Sequence, residues 1–250
     1  VQNCPVFIHH FPCVSLLAQV KVANKANEIV AIPQLLELLT VQGCIITMDA
    51  MGCQKKIVEA IRTRQADYVV TVKGNQPKLS HRLQAAFAAQ DRLDAWPEGV
   101  IRTEATAHRR HEIRRCCVLP DSHLQDLGWR DCQTPVRLER TTTRAGKVSL
   151  QTHYYISSLP PQAAGLLHAI RAHWGIENRC HWILDVVFKE DASRSRLRFA
   201  GDNLAVLRKV ALNLLHQHPT RGSLKGKRYQ ASLNEDFLLS VLKSSFKLMR

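Results

Sequence analysis

The sequence predicts an α/β fold, and three observations carry that prediction. Two short, continuously apolar runs, 44–48 and 68–72, have the character of strands buried on both faces. Helical periodicity precedes and separates them, which gives an α, β, α, β order and a sheet with helices packed against it. From 100 to 156 the chain becomes rich in Thr, Arg and Val, and reads as a β-rich insertion before helix resumes.

Each element follows in order. Residues 6–9 and 14–22 are apolar enough for strands, with an irregular join at Pro12 and Cys13. Pro33 suits the first turn of a helix, and Leu35, Leu36, Leu38 and Leu39 follow at helical spacing until Gly43 stops them. The run 44–48 ends at Asp49. Residues 54–64 are helical, with Ile57, Val58 and Ile61 on one side. The second buried strand, 68–72, leads into Lys73-Gly74-Asn75-Gln76-Pro77 and an Ala-rich helix over 79–89. Within the insertion, 113–119, 135–141 and 148–156 are the candidate strands. One or two helices fill 163–189, and another spans 203–216 with Leu204, Leu207, Val210, Ala211 and Leu214 in phase. Residues 220–230, basic and Gly-containing, read as a mobile linker before a terminal helix over 237–249. The expected divisions are 1–99 for the first part of the core, 100–160 for the insertion, 161–218 for the helical remainder and 219–250 for linker and last helix.

A chain of 250 residues can bury a full core. Its net charge of +14 favours a polyanionic partner, most simply nucleic acid. The excess is uneven: residues 102–115 hold five Arg and two His against two Glu. The plainer alternative is a basic protein without a specific partner. Eight cysteines without a CxxC pair argue against a structural zinc site and suit reduced thiols. No apolar run approaches a membrane span and no signal segment is evident, so a cytoplasmic location is expected.

Three places carry chemistry. Asp49 stands at the C-terminal tip of a strand, where α/β folds place ligands; alternatively it caps local backbone, although Gln54 is too far along for a direct helix cap. Lys73 and Asn75 follow the next strand in the same way and could meet a phosphate, or could simply form a polar turn. The densest cluster contains His173, Trp174, Glu177, Asn178, Arg179, His181, Trp182 and Asp185. Glu177 and His181 share a helix face. The plainer reading of that cluster is a solvated helix with both Trp side chains anchored in the core, which leaves Ile176-Glu177-Asn178 unexplained.

These segments, together with 25–29, Tyr155-Ile156-Ser157-Ser158-Leu159, the run from His173 to Asp191 and the run from Asn203 to Leu214, resemble the H-repeat-associated branch of bacterial insertion-sequence DDE transposases. The resemblance covers about 20–215 with order and spacing intact. It implies an RNase H-like core with a β-rich insertion before the last acidic helix. It also implies a triad of carboxylates that bind Mg²⁺ or Mn²⁺ for two-metal phosphodiester cleavage and strand transfer. Matched by position, Asp49 is the second acid and Glu177 the third, both metal ligands. Lys73, Asn75, His173, Arg179, Arg110 and Arg114 become weaker candidates for DNA contact. The partners implied are double-stranded DNA and transposon ends, with a homodimer as the candidate assembly and a nucleoid-associated location. His108, Arg110, Glu112 and Arg114 resemble a His-Gly-Arg-x-Glu-x-Arg motif in which Arg109 replaces Gly.

One departure qualifies the resemblance: no Asp precedes Asp49. The family's first acid belongs to an Asp-Gly-Lys segment on the first, central strand. The expectation is therefore a truncated core that lacks that strand and is inactive as it stands, with unpaired edges where it should lie. The alternatives are a non-catalytic DNA-binding remnant and a pseudogene product that does not fold.

Overall fold

A computed structural model describes residues 2–10, 13–22, 28–93, 99–107, 109–120, 124–176, 180–195 and 199–244. The chain divides into two compact units, Val20–His173 with Val1–Cys4, and Trp174–Arg250 with Pro5–Gln19. It is a mixed α/β protein with a six-stranded sheet and eight α-helices among the described residues.

The first unit is built around β4 (Asp67–Val72). Its last five residues are all buried, as its unbroken apolar sequence requires. β3 (Ile45–Met48) lies parallel to it, with Thr47 opposite Val69. On the other side β8 (Lys147–Ser157) runs antiparallel, with Val70 opposite Ile156. β7 (Thr134–Arg144), β6 (Arg110–Val118) and β5 (Val100–Ala107) continue the antiparallel array, giving the order β3-β4-β8-β7-β6-β5. The strands of 100–157 therefore extend the same sheet that carries Asp49. The other edge of β3 has no strand partner among the described residues, and Ile45 there is 48% exposed. β1 (Gln2–His10) and β2 (Cys13–Val22) form a separate two-stranded sheet.

Helices cover both faces of β4. On one, Ile57, Val58 and Ile61 of α2 (Lys55–Thr63) and Leu79, Leu83 and Phe87 of α3 (Pro77–Arg92) pack with Tyr68, Val70, Val72 and Ile156. α1 (Glu28–Glu37) adds Leu36 to this cluster. On the other, Leu166, Leu167 and Ile170 of α4 (Ala163–Ile176) pack with Val69, Val136, Leu138 and Tyr155. A full side chain of this kind contributes roughly 1.5–3 kcal/mol on burial. Polar locks fix the insertion to β4. The Ser158 hydroxyl accepts from the Tyr68 N–H (2.9 Å) and donates to Asp67 (2.8 Å), and the Ser157 hydroxyl donates to the Tyr68 carbonyl (2.7 Å). The buried Arg137 guanidinium clamps Asp91 with two bonds (2.6 and 2.9 Å) and lies over the Phe87 ring, tying β7 to the end of α3.

The second unit contains α5 (Trp182–Val186), α6 (Ala200–Gln217), α7 (Leu224–Leu233) and α8 (Glu235–Ser244), with a core of Cys180, Ile183, Leu184, Val187 and Leu212. The segment read as a mobile linker, 220–230, is mostly α7. Ser223 caps it by accepting from the Gly226 N–H (3.1 Å). Lys227 is buried and donates to the Leu215 and His218 carbonyls (3.0 and 2.7 Å), at the negative end of the α6 dipole. A basic residue that looked solvent-bound in sequence is thus a structural cap. Trp174 and Trp182, which the plainer reading of their cluster anchors in the core, are 45% and 56% exposed.

Three further expectations change. The first described helix begins at Glu28, so Pro33 lies inside it and not in its first turn, at the loss of one backbone bond. Strand β5 escapes the apolar pattern because, beyond Val100 and Ile101, its residues are polar or small and mostly exposed. The remaining insertion strands run longer than their apolar cores, because pairing continues into exposed Arg- and Thr-rich halves.

Arg109, in the tight turn between β5 and β6, has φ of 58°. That left-handed conformation costs an ordinary residue roughly 1–2 kcal/mol, of which glycine's extra unfolded-state freedom would take back roughly 0.4–1 kcal/mol. Arg109→Gly should therefore raise stability slightly, by about 0.5 kcal/mol. Urea denaturation checks this; a lower midpoint at unchanged slope would contradict it.

Candidate functional site

β3 and β4 are parallel neighbours, so Asp49 and Lys73 leave the sheet at the same end. The backbone at Asp49 is extended, and residues 50–52 immediately form a single 3-10 turn. Asp49 Oδ1 accepts from the Met51 and Gly52 N–H groups at 3.1 and 3.3 Å. The local cap considered from sequence is thus real, but it serves this turn and not the helix after Gln54. Asp49 is exposed, and its Oδ2 makes no hydrogen bond among the described residues. One carboxylate oxygen is therefore used to orient the side chain and the other is presented outward.

The loop after β4 holds this turn in place. Asn75 donates its amide to the Ala50 carbonyl (2.6 Å), Gln76 to the Cys53 carbonyl (2.8 Å), and Thr71 its hydroxyl to the Met48 carbonyl (3.2 Å). Asn75, a candidate DNA contact in sequence, spends its amide on positioning Asp49. Gln76 and Thr71 support the same turn, a role that needed the strand register to be seen. Gly52 is buried beneath it, and a Cβ there would fall 2.8 Å from Met48 Cβ.

From α4, His173 reaches β3: its Nδ1 and the Thr47 hydroxyl share a hydrogen bond of 3.1 Å, two residues before Asp49. Lys73 is exposed. It lies one step beyond the Val72–Tyr154 pair, which brings it beside His153. His153 is held below its ordinary pKa by burial, and further by Arg140 and Lys73. Arg110 and Arg114 lie on β6 and both pair with the buried carboxylate of Glu112, Arg110 at 3.2 Å. Burial lowers the pKa of Arg114, Glu112 raises it, and Arg171, Arg140 and Arg110 lower it again. Glu177 and Arg179 lie outside the described residues, as does His108. The structure thus brings Asp49, Asn75 and Lys73 to one sheet end, with His173 bonded to the strand that leads into Asp49. It puts Arg110 and Arg114 three strands away.

For a divalent cation, the exposed oxygen of Asp49 is the donor type Mg²⁺ prefers. One carboxylate is insufficient, and no group of three or more His, Cys, Asp or Glu side chains among the described residues could hold a metal ion. No described helix is long and apolar enough to cross a membrane. The six described cysteine side chains are free thiols, and burial pushes those of Cys53, Cys116 and Cys180 up to about 12.

Comparison with known proteins places the chain in a family. Residues 10–214 match the transposase DDE domain, and the chain belongs to that family. It is 38% identical over 242 residues to "Putative transposase YncI" of Escherichia coli O157:H7, covering 93% of this chain and 61% of that protein. It is 34% identical over 238 residues to "H repeat-associated putative transposase YhhI" of Escherichia coli K12, covering 92% of this chain and 63% of that protein. A shorter match to "H repeat-associated putative transposase YbfD" of the same strain is 39% identical over 108 residues, 42% of each chain. The chain thus spans less than two thirds of the length of the first two relatives.

Because Gly52 admits no side chain without displacing Met48, Gly52→Ala should lift the 50–52 turn off β3 and cost roughly 1–3 kcal/mol. Thermal melting checks the loss. A substitution that leaves the melt unchanged would mean the turn is not held as described.

Proposed function

We propose that this chain is the catalytic-core portion of a DDE-type DNA transposase, RNase H-like in architecture, acting on double-stranded DNA at transposon ends. The observation that carries the reading is Asp49: a carboxylate at the tip of a core strand, oriented through one oxygen by two backbone N–H groups and open at the other. On this reading Asp49 and Glu177 are metal ligands, Glu177 by the match of His173-Trp174-Gly175-Ile176-Glu177-Asn178 to the family pattern. The hydrogen bond from His173 to Thr47 supports a role for α4 in shaping the site. When bound, Mg²⁺ or Mn²⁺ would activate the attacking oxygen and stabilise the leaving one. The residues of the chain orient: Asn75, Thr71 and Gln76 fix the turn that aims Asp49, and Lys73 offers positive charge beside it.

The edge of β3 that has no strand partner among the described residues is where this reading puts one further strand with the first acid. These 250 residues contain no Asp before Asp49, so the chain by itself should bind DNA without cutting it. Mg²⁺-dependent nicking by the purified chain would contradict that statement.

A second reading, a DNA-binding protein without catalysis, is favoured by the basic outer strands of the insertion. Asp49→Ala separates the two readings once the missing acid is supplied by a longer chain. Cleavage should fall by several orders of magnitude while DNA affinity stays level or rises slightly. Cleavage that survives Asp49→Ala would remove Asp49 from the site. A cooperative melt by circular dichroism is the outcome expected of a folded chain, and its absence would favour a product that does not fold.

A further inference from the structure

The outer half of the insertion has two faces with different charge, and strand register separates them. On one face Arg102 stands opposite Arg115, and Arg115 opposite Glu139. That face is closed by ion pairs: Arg102–Glu104 (3.6 Å), His111–Glu104 (2.5 Å), Arg115–Glu139 (3.4 Å) and Arg137–Glu139 (3.3 Å). On the opposite face Arg114 stands across from Arg140, Arg110 across from Arg144, and Arg144 across from Lys147. The alternation leaves those five cations with one carboxylate on their face, Glu112, already paired with Arg110 and Arg114.

Like charges directly opposite one another destabilise a sheet. The first face offsets that cost by pairing and the second accepts it at three positions. A scaffold face would gain nothing from the arrangement, whereas a face that meets a polyanion recovers the cost by neutralisation and counterion release. The cationic face is also the one on which α4 packs, through Val136 and Leu138 of β7, and the one that Val69 and Thr47 share. Arg171 of α4 adds its charge near Arg114. Lys73, beside His153, continues the row towards the sheet end that carries Asp49. From β6 to β4 the row crosses three strand spacings, about 14 Å.

We propose that this face, and not the opposite one, is a track for the sugar-phosphate backbone of double-stranded DNA, with Arg140 and Lys147 among its contacts, leading the duplex towards Asp49. The proposal rests on the transposase reading above and adds to it which face of the insertion meets DNA.

The test uses the full 250-residue chain and fluorescence anisotropy of a labelled DNA duplex over a range of salt. The Arg140→Gln, Lys147→Gln double variant should weaken binding roughly tenfold or more and lower the log–log salt slope by about 2. Arg102→Gln with Arg115→Gln, on the paired face, should leave the slope unchanged. Melting curves establish that both variants fold, and Arg140→Lys with Lys147→Arg should restore the slope. A paired-face variant that loses as much slope, or an Arg140, Lys147 variant that loses none, overturns the assignment while leaving the DNA reading intact. A wild-type chain whose affinity is indifferent to salt sinks the DNA reading and the proposal together.

Discussion

The burial of β4 on both faces is the constraint on which the rest of the first unit depends. A six-residue strand with no polar face can exist only between two apolar layers, and α2 with α3 on one side and α4 on the other supply them. Its two edges then decide the architecture. One pairs in parallel with β3 and so sets Asp49 and Lys73 at a common end. The other pairs with β8 and so makes the insertion a continuation of the core sheet. Ser157 and Ser158 lock that second edge from the opposite end of β4, while at the Asp49 end Thr71, Asn75 and Gln76 tie β4 and its loop to β3 and the turn after it.

This arrangement gives a physical meaning to residues that a motif alone leaves ambiguous. Asn75 and Gln76 follow β4 in a segment typical of a polar turn, yet their amides reach across to the turn after β3 and fix its shape. Asp49 is at once a cap and an outward-facing carboxylate, because a carboxylate has two oxygens and the 3-10 turn occupies only one. Glu112 shows the opposite use of an acid. Buried between Arg110 and Arg114, it moderates a basic face.

Much of the fold was legible in the sequence where apolar pattern and burial agree. β4, α2 and the apolar halves of β6, β7 and β8 all announce themselves through residues that end up buried. β3, expected to be buried on both faces, is exposed at Ile45 and only half-buried at Ile46, Thr47 and Met48, because its outer edge has no strand partner among the described residues. Legibility failed where hydrogen bonding carries the element instead. β5 and the outer halves of the insertion strands are polar, and α7 is held by the buried Lys227 amine on carbonyls of the helix before it. The exposure of Trp174 and Trp182 counts against the plainer reading of their cluster, which anchors both in the core. At the site, residue types and spacing picked out Asp49, Lys73 and Asn75. Arg140 and His153 escaped notice because only strand register reveals which face they share with Arg114.

The central proposal is that Asp49 and Glu177 are divalent-cation ligands of a DDE transposase core. Iron-directed hydroxyl-radical cleavage of the polypeptide tests it without requiring catalysis. Fe²⁺ bound in place of Mg²⁺ should cut the chain near residue 49 and again near residue 177, and excess Mg²⁺ should suppress both cuts together. Cleavage at only one of those positions, or cuts elsewhere that Mg²⁺ leaves untouched, would contradict the account.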